Sequence, residues 1–81
     1  MVRRSNSKNI VGARLKQARK EHKPPLTQDE LSGRLAAMGV SLDRAAIAKI
    51  EGGIRYVLDF ELKALALALH VRVDWLLGPR S

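Results

Sequence analysis

Cysteine is absent from this sequence of 81 residues, so neither a disulfide bond nor a thiolate metal site can hold the chain together. Apolar packing has to supply the stability, from a hydrophobic fraction of 46%. No apolar run approaches the roughly 20 residues that a membrane-spanning helix needs. The N-terminal residues also lack the apolar region of a signal peptide. We therefore expect one small cytoplasmic domain without a membrane segment.

Aromatic residues are almost as scarce, at 4% of the chain. They are Tyr56, Phe60 and Trp75. These three are too few, and too core-like in their surroundings, to form the platform on which single-stranded RNA stacks its bases. A general RNA-binding protein is therefore a weak alternative.

Patterns typical of catalysis and metal binding are lacking as well. His22 and His70 are far apart in sequence, and each stands where a helix is expected to end. Ser32, Ser41 and His22 could be combined on paper, but neither an oxyanion glycine loop nor a nucleophile elbow accompanies them. We expect no catalytic residue, no metal, no cofactor and no small-molecule ligand.

Positive charge is the feature present in excess. Fifteen Lys and Arg against eight Asp and Glu give a net charge of +7. Residues 1–23 contain eight basic side chains and one acidic one, and the other 58 residues contain seven of each sign. All of the excess therefore lies near the N-terminus. This distribution favours a polyanionic partner such as nucleic acid, although a basic terminus also serves solubility alone.

The first part of the chain predicts a flexible arm followed by a helix. Residues 1–9 are polar and basic without a period, and we expect them to be disordered. An apolar period of helical type begins at Ile10. The helix should end near His22, because the two prolines at 24–25 forbid its continuation.

A second helix is predicted over about residues 28–38. Thr27 and Glu30 have the spacing of a capping box, in which each side chain bonds to the backbone N–H of the other. Gly39 is expected to end the helix in a left-handed conformation, which glycine adopts without steric cost. The inner residues of this helix are expected to be Leu31, Leu35 and Met38.

Residues 43–51 predict a short helix with two unlike sides. Asp43 is a favoured N-cap, because its carboxylate accepts a hydrogen bond from a backbone N–H of the first turn. At about 100° per residue, Ala46, Ile47 and Ile50 fall together on one side. A narrow basic face lies opposite, and we expect it to enter the major groove of DNA. Its residues are Arg44, Ala45, Ala48 and Lys49.

Two further helices are predicted after a connector. The fourth covers Phe60–Leu69, with Asp59 as the best available cap, and its nearly uniform apolar character is typical of a central core helix. Residues 71–79 predict a short fifth helix that a glycine and a proline end. Trp75 and Leu76 within it either close the core or form an exposed patch. No run alternates as a strand does, so the fold class is all-α.

The capped second and third helices, the latter with an Ile-x-x-Ile-Glu-x-Gly pattern, resemble the phage-repressor type of helix-turn-helix domain, the Cro/CI or XRE-like family. The resemblance covers about residues 10–78, and it implies a five-helix lambda-repressor-like DNA-binding domain behind the arm of residues 1–9. The segments that carry it are Arg14-Leu15-Lys16 with Arg19, Thr27 to Leu31, Ile47 to Gly53, Leu65 to Leu69 and Val71 to Leu77.

This resemblance implies roles for individual residues. It makes residues 43–51 the recognition helix, whose base-facing side chains are again the four outward ones. Gln28 matches a family position that contacts a backbone phosphate at a helix N-terminus. Arg55 in the connector is a second phosphate candidate. Arg19 and Glu51 match an ion pair that braces the third helix against the first.

The arm and the C-terminal end also receive roles. Arg3, Arg4 and Lys8 of the arm would reach the minor groove or add phosphate contacts. The end that contains Trp75 and Leu76 contributes to dimer contact in the family.

Some positions depart from the family pattern. Between Leu35 and Ile47 the chain has several more residues than usual, which we interpret as an extra turn of the second helix, residues 36–38, and a longer turn after it. A known subgroup has a similar lengthening. Leu58 stands near a position that is often a Ser or Thr cap. His70 replaces the usual glycine at the end of the fourth helix, so a histidine must adopt a left-handed conformation.

Together these features predict a sequence-specific transcriptional regulator, most simply a repressor of phage or bacterial origin. It would bind double-stranded DNA as a homodimer at a palindromic operator, with half-sites about one helical turn apart. The main alternative is an antitoxin or accessory subunit that uses the same fold chiefly to bind a protein. Co-purification of a tight stoichiometric partner would favour that alternative.

Overall fold

The computed structural model describes residues 4–78, with side chains from Ile10 onward. Over that range it contains five helices and no strand, which confirms the all-α class. No helix of this part of the chain is both long and apolar enough to cross a membrane. The helices are α1 (Arg4–Glu21), α2 (Gln28–Ala37), α3 (Arg44–Glu51), α4 (Asp59–Leu69) and α5 (Val73–Leu76).

α1 begins at Arg4, earlier than the apolar period at Ile10. Residues 4–9, which were predicted to belong to a disordered arm, are therefore helical, while residues 1–3 lie outside the described range. A helix that has nucleated gains one backbone hydrogen bond for each residue it adds, and this growth needs no apolar period. The period supplies the apolar side chains that α1 buries among the described residues, Val11, Leu15 and Ala18.

The capping signals of α2 are confirmed. Thr27 Oγ1 accepts a hydrogen bond from the N–H of Glu30 at 3.0 Å, and Glu30 Oε1 accepts one from the N–H of Thr27 at 2.8 Å. Gly39 follows with a φ of 83°, in the predicted left-handed conformation. The placement of Met38 on the inner side was wrong: α2 ends at Ala37, and the Met38 side chain is exposed.

α4 begins differently from the prediction. Leu58 is its N-cap, and Asp59 is its first helical residue. The N–H of Leu58 donates to Glu61 Oε1 at 3.0 Å, so the carboxylate of the third helical residue binds back to the cap. The other end agrees with the prediction, since His70 is left-handed with φ 60° and ψ 41°.

α4 is a core helix on only part of its circumference. Phe60 and Leu67 are exposed, and so is Tyr56 in the connector. The prediction that Tyr56 and Phe60 have the surroundings of core residues was therefore wrong. A chain of this size cannot surround one helix with the other four, because its surface is large relative to its volume. The residues of α4 that are buried are Glu61, Ala64, Leu65, Ala66, Ala68 and Leu69.

All five helices contribute to one hydrophobic core. Leu76 of α5 is fully buried, so this residue closes the core, and the alternative of an exposed patch is wrong for it. Trp75 beside it is half-buried, with the guanidinium of Arg14 lying 4.7 Å from the ring centroid. The fully buried side chains are Leu15, Leu31, Leu35, Ile47, Ile50, Leu65 and Leu76.

Candidate nucleic-acid interface

The outward face of α3 is composed as the sequence predicted. The inward side chains Ile47 and Ile50 are fully buried, and Ala46 is half-buried. The opposite side carries two basic side chains and two methyl groups in a narrow exposed strip. This strip, which we call the α3 face, consists of Arg44, Ala45, Ala48 and Lys49.

The start of α3 is fixed by its cap. Asp43 Oδ1 accepts a hydrogen bond from the N–H of Ala46 at 2.8 Å, as predicted. Leu42, immediately before the cap, is buried together with Ile47, which gives the helix a hydrophobic staple. Residues 38–43 connect α2 to α3, so the lengthened segment enters α3 through a capped and stapled turn.

The predicted ion pair at the other end of α3 is present. Arg19 of α1 donates to Glu51 through Nε at 2.8 Å and through Nη2 at 2.9 Å. Its Nη1 donates to the carbonyl oxygen of Leu26 at 2.8 Å. The hydrogen bond to Glu51 raises the pKa of Arg19 above its ordinary value. Both side chains are largely buried, so the pair joins α1 to α3 inside the protein and not on its surface.

Gln28, predicted to bind phosphate, takes part in this network. Its Nε2 donates to Glu51 Oε1 at 3.1 Å, and its side chain is half-buried. It also lines an open cavity between the start of α2 and the start of α3, with a volume of about 470 Å³. The lining residues are Arg19, Thr27, Gln28, Asp29 and Arg44. Gln28 and Arg44 of the α3 face thus line the same cavity, and the phosphate contact of Gln28 stays a prediction.

Arg55, the second phosphate candidate, forms a clip across the connector. Its Nη1 and Nη2 donate to the two carboxylate oxygens of Glu61 at 3.0 and 3.1 Å, and Nη1 also donates to the carbonyl oxygen of Tyr56 at 2.9 Å. These hydrogen bonds raise the pKa of Arg55 and lower that of Glu61. Because Arg55 is partly exposed, it can hold the connector while its outer edge faces solvent.

The three basic residues predicted for the arm are not placed. Arg3 lies outside the described residues, and the side chains of Arg4 and Lys8 lie outside the described side chains. Their contacts with DNA stay predictions.

A close approach of α1 to α3 was not predicted from sequence. Gly12 is buried, and a Cβ atom built on it would collide with the carbonyl oxygen of Ile50. The carbonyl oxygen of Glu51 would lie 3.1 Å from the same atom. Since these neighbours are backbone atoms of α3, the absence of a side chain at Gly12 allows α1 and α3 to cross at this distance. A glycine inside an otherwise regular helical pattern is the signal that could have indicated a close approach, although not the element approached.

The two histidines were predicted at helix ends, and the structure also brings them together. Their ring centroids lie 5.7 Å apart in an edge-to-face arrangement. His22 Nδ1 lies 2.9 Å from the carbonyl oxygen of Pro24, and Arg34 Nη1 lies 3.3 Å from His22 Nε2. Arg34 also donates to the carbonyl oxygen of Ala68 at 3.1 Å. This cluster joins the ends of α1 and α4 to α2, and no sequence pattern predicted it.

Across the described side chains, no group of three or more His, Cys, Asp or Glu residues is arranged to hold a metal ion. What the geometry provides is a short helix, held rigidly from inside, that presents an exposed basic strip. Family models, curated proteins and solved structures give no significant match to this chain.

Proposed function

We propose that this protein is a sequence-specific DNA-binding transcriptional regulator of the helix-turn-helix type, which inserts α3 into the major groove. The observation that carries the proposal is the division of α3 into two sides. Ile47 and Ile50 on one side are fully buried. Arg44 and Lys49 on the opposite side are exposed to solvent. A polar outer face is common to surface helices, and what is particular to this one is that two long basic side chains flank two alanines with no acidic side chain on the face.

The chemistry of the α3 face suits base recognition. Arg and Lys side chains donate to the O6 and N7 acceptors of guanine, which is the commonest specific contact in the major groove. Ala45 and Ala48 keep the centre of the face slim, so that the helix backbone can come close to base edges and a methyl group can contact thymine. In this arrangement Arg44 and Lys49 read bases, while the alanines permit the approach.

Positioning contacts surround the α3 face. Gln28 at the start of α2 and Arg55 in the connector lie on elements that flank α3, where phosphates of the two DNA strands would pass. The excess charge of residues 1–23 adds sequence-independent attraction to the backbone. Affinity in this scheme comes largely from the phosphates, and specificity comes from the α3 face.

Selection from a random DNA library with the purified full-length protein tests the proposal. We expect enrichment of an inverted repeat, whose two halves are about one helical turn apart. A pool that shows no enriched sequence after repeated rounds, at low and at moderate salt, would contradict it.

A point substitution then tests the α3 face itself. Lys49→Ala should cost roughly 1–3 kcal/mol on the selected operator and much less on random DNA of equal length. Lys20→Ala, which removes the same charge from an exposed position on α1, is the matched control, and it should leave the ratio of specific to random binding unchanged. Equal weakening of both DNAs by Lys49→Ala would mean that this residue does not read bases.

A further inference from the structure

An open cavity lies where α1 and α4 end and α5 begins. Its volume is about 480 Å³. Cavities that bind small molecules usually measure roughly 300–1,000 Å³. The lining comes from residues 17–22 of α1, from residues 69–72 around the end of α4, and from Trp75 of α5. We call it the α1–α5 cavity. No small-molecule ligand was expected from the sequence, because only the fold brings these three segments together.

The apolar part of the lining includes the single tryptophan of the chain. The guanidinium of Arg14, which does not line the cavity, lies 4.7 Å from the centroid of the Trp75 ring. This contact holds the indole ring in place, while the ring itself borders the cavity. A fixed indole ring is a surface on which a second planar ring can stack. The apolar lining residues are Ala18, Leu69, Val71 and Trp75.

The charged part of the lining has an excess of negative charge. Glu21 forms no ion pair with any described side chain, and its Oε2 accepts a hydrogen bond only from the neutral amide of Gln17, at 3.2 Å. Arg72, the cation of the lining, donates through Nε and Nη2 to the two carboxylate oxygens of Asp74 at 2.9 and 3.0 Å. The charge that is left without a counter-charge is therefore the carboxylate of Glu21.

The two histidines of the lining do not create a site for an anion. Both ring nitrogens of His22 have partners, since Nδ1 lies 2.9 Å from the carbonyl oxygen of Pro24 and Nε2 lies 3.3 Å from Arg34 Nη1. The ring of His70 lies edge-to-face against the ring of His22, with the centroids 5.7 Å apart. The strongest hydrogen-bonding group that the cavity offers is thus an acceptor, the carboxylate of Glu21.

We propose that the α1–α5 cavity binds a small aromatic amine, whose ring stacks on Trp75 and whose ammonium group donates to Glu21. An ammonium group has three donors and no acceptor, which suits a carboxylate whose Oε1 has no partner among the described residues. Burial of the ring against the apolar lining supplies most of the affinity. The carboxylate supplies the preference for an amine over an acid.

The cavity lies on the side of α1 that faces away from α3. At about 100° per residue, Gln17 and Glu21 are each about 160° around the helix from Arg19, which binds Glu51 of α3. No residue of the α3 face lines the cavity. A bound amine therefore leaves the α3 face uncovered, and this inference does not rest on the proposed function.

Heteronuclear NMR of the nitrogen-labelled full-length protein tests the inference, because the single tryptophan gives one indole N–H signal. Three ligands with the same ring system are compared: tryptamine is a cation, tryptophol is neutral and indole-3-acetate is an anion. The titrations are made at about pH 8, where histidine side chains are generally uncharged. Salt at about 0.15 M screens the distant basic residues. Tryptamine should shift the Trp75 signal saturably, with a dissociation constant of about 1 mM or below. Tryptophol should bind about threefold to fivefold more weakly, and indole-3-acetate about tenfold more weakly.

Three variants test the role of Glu21. E21Q removes the charge from an exposed side chain and should weaken tryptamine binding about threefold to fivefold, to the affinity of tryptophol. Q17R places a cation beside Glu21 within the same helix and should have the same effect. D59N, the matched control, removes an acidic side chain at the opposite end of α4 and should leave the binding of all three ligands unchanged. Circular dichroism confirms that each variant is folded.

The outcomes that overturn the inference are distinct from those that concern DNA. The inference fails if tryptamine gives no saturable shift of the Trp75 signal up to about 10 mM. It also fails if indole-3-acetate or tryptophol binds as tightly as tryptamine, or if E21Q keeps the wild-type preference for the amine. A loss in D59N as large as that in E21Q would show that the effect is one of net charge alone, and it too contradicts the site. Selection from the DNA library uses the protein without these ligands, so its result supports or overturns the proposed function separately.

Discussion

Arg19 and Glu51 are joined by two hydrogen bonds of 2.8 and 2.9 Å between side chains that are 11% and 4% exposed. One residue lies near the end of α1 and the other is the last residue of α3. The same guanidinium reaches the carbonyl oxygen of Leu26, and the same carboxylate accepts from Gln28. A single buried pair therefore connects α1, the segment before α2, the start of α2 and the end of α3.

Breaking this pair from one side should be costly. Arg19→Met leaves the Glu51 carboxylate buried without its cation, and we expect the free energy of unfolding to fall by about 3–5 kcal/mol. Urea denaturation followed by circular dichroism measures the change. The double variant R19M/E51M should lose less than the sum of the two single changes, because no charge then stays buried alone. Additive losses would show that the pair does not act as a unit.

Gly12 and Gly33 offer a matched comparison within two helices. Gly12→Ala should destabilise the protein by more than about 2 kcal/mol, although alanine favours a helix by about 1 kcal/mol, because the new Cβ meets the backbone of α3. At Gly33 a Cβ would have nothing within 4 Å, so Gly33→Ala should stabilise α2 by about 0.5–1 kcal/mol. Thermal unfolding of the two variants checks both signs. A stabilising Gly12→Ala would contradict the close crossing of α1 and α3.

The carboxylate of Glu61 should make stability depend on pH. Hydrogen bonds from Arg55 lower its pKa in the folded state, so the unfolded chain binds the proton more readily. The stabilisation is then fully present above the ordinary glutamate pKa of 4.5 and is lost as the pH falls through the lower folded value. Glu61→Gln keeps an acceptor for the N–H of Leu58 but has no charge to titrate. Wild type should exceed this variant in stability at pH 7, and the difference should shrink below about pH 4.5. A gap that stays constant to pH 3 would exclude this contribution.

The basic arm should be visible in the salt dependence of DNA binding. Each phosphate that a Lys or Arg neutralises contributes about −0.9 to the slope of log K against log salt concentration. Replacing Arg3, Arg4 and Lys8 together by glutamine should therefore flatten the slope by up to about 2–3 units. Operator and random DNA should lose the same slope, since phosphates carry no sequence. An unchanged slope would mean that the arm does not touch DNA.

The sequence predicted the parts of the fold that depend on local chemistry. Capping residues and left-handed glycines act within one turn, so Thr27, Asp43 and Gly39 were assigned correctly without knowledge of the tertiary structure. The left-handed conformation of His70 was predicted from the family resemblance. The two sides of α3 followed from helical periodicity, which depends only on 100° per residue. The Arg19–Glu51 pair could be predicted only through the family resemblance, because nothing local links positions 32 residues apart.

The predictions that failed concern features that depend on how the helices pack against one another. Phe60, Leu67 and Met38 are apolar, but their exposure depends on which side of each helix the other helices cover. The cap of α4 was placed one residue late because Asp59 is a good cap type, whereas the structure uses Glu61 to bind back to Leu58. The contacts of Gly12 with α3 and of His22 with His70 are both tertiary, and their residue types alone gave no sign of the partner.

The contacts that hold α3 in the fold determine which of its residues can be substituted without disturbing the structure. The groups that hold α3 are the side chains of Ile47, Ile50 and Glu51, the cap at Asp43 and the backbone that meets Gly12. Positions 44, 45, 48 and 49 supply none of these contacts. Variants that differ only at those four positions, without glycine or proline, should share one orientation of the helix, and their stabilities should differ only through helix propensity, by less than about 1 kcal/mol per residue. On the proposed function, a library randomised there could therefore be selected for new DNA sequences on an unaltered scaffold, and specificity could diverge in evolution without passing through unfolded intermediates.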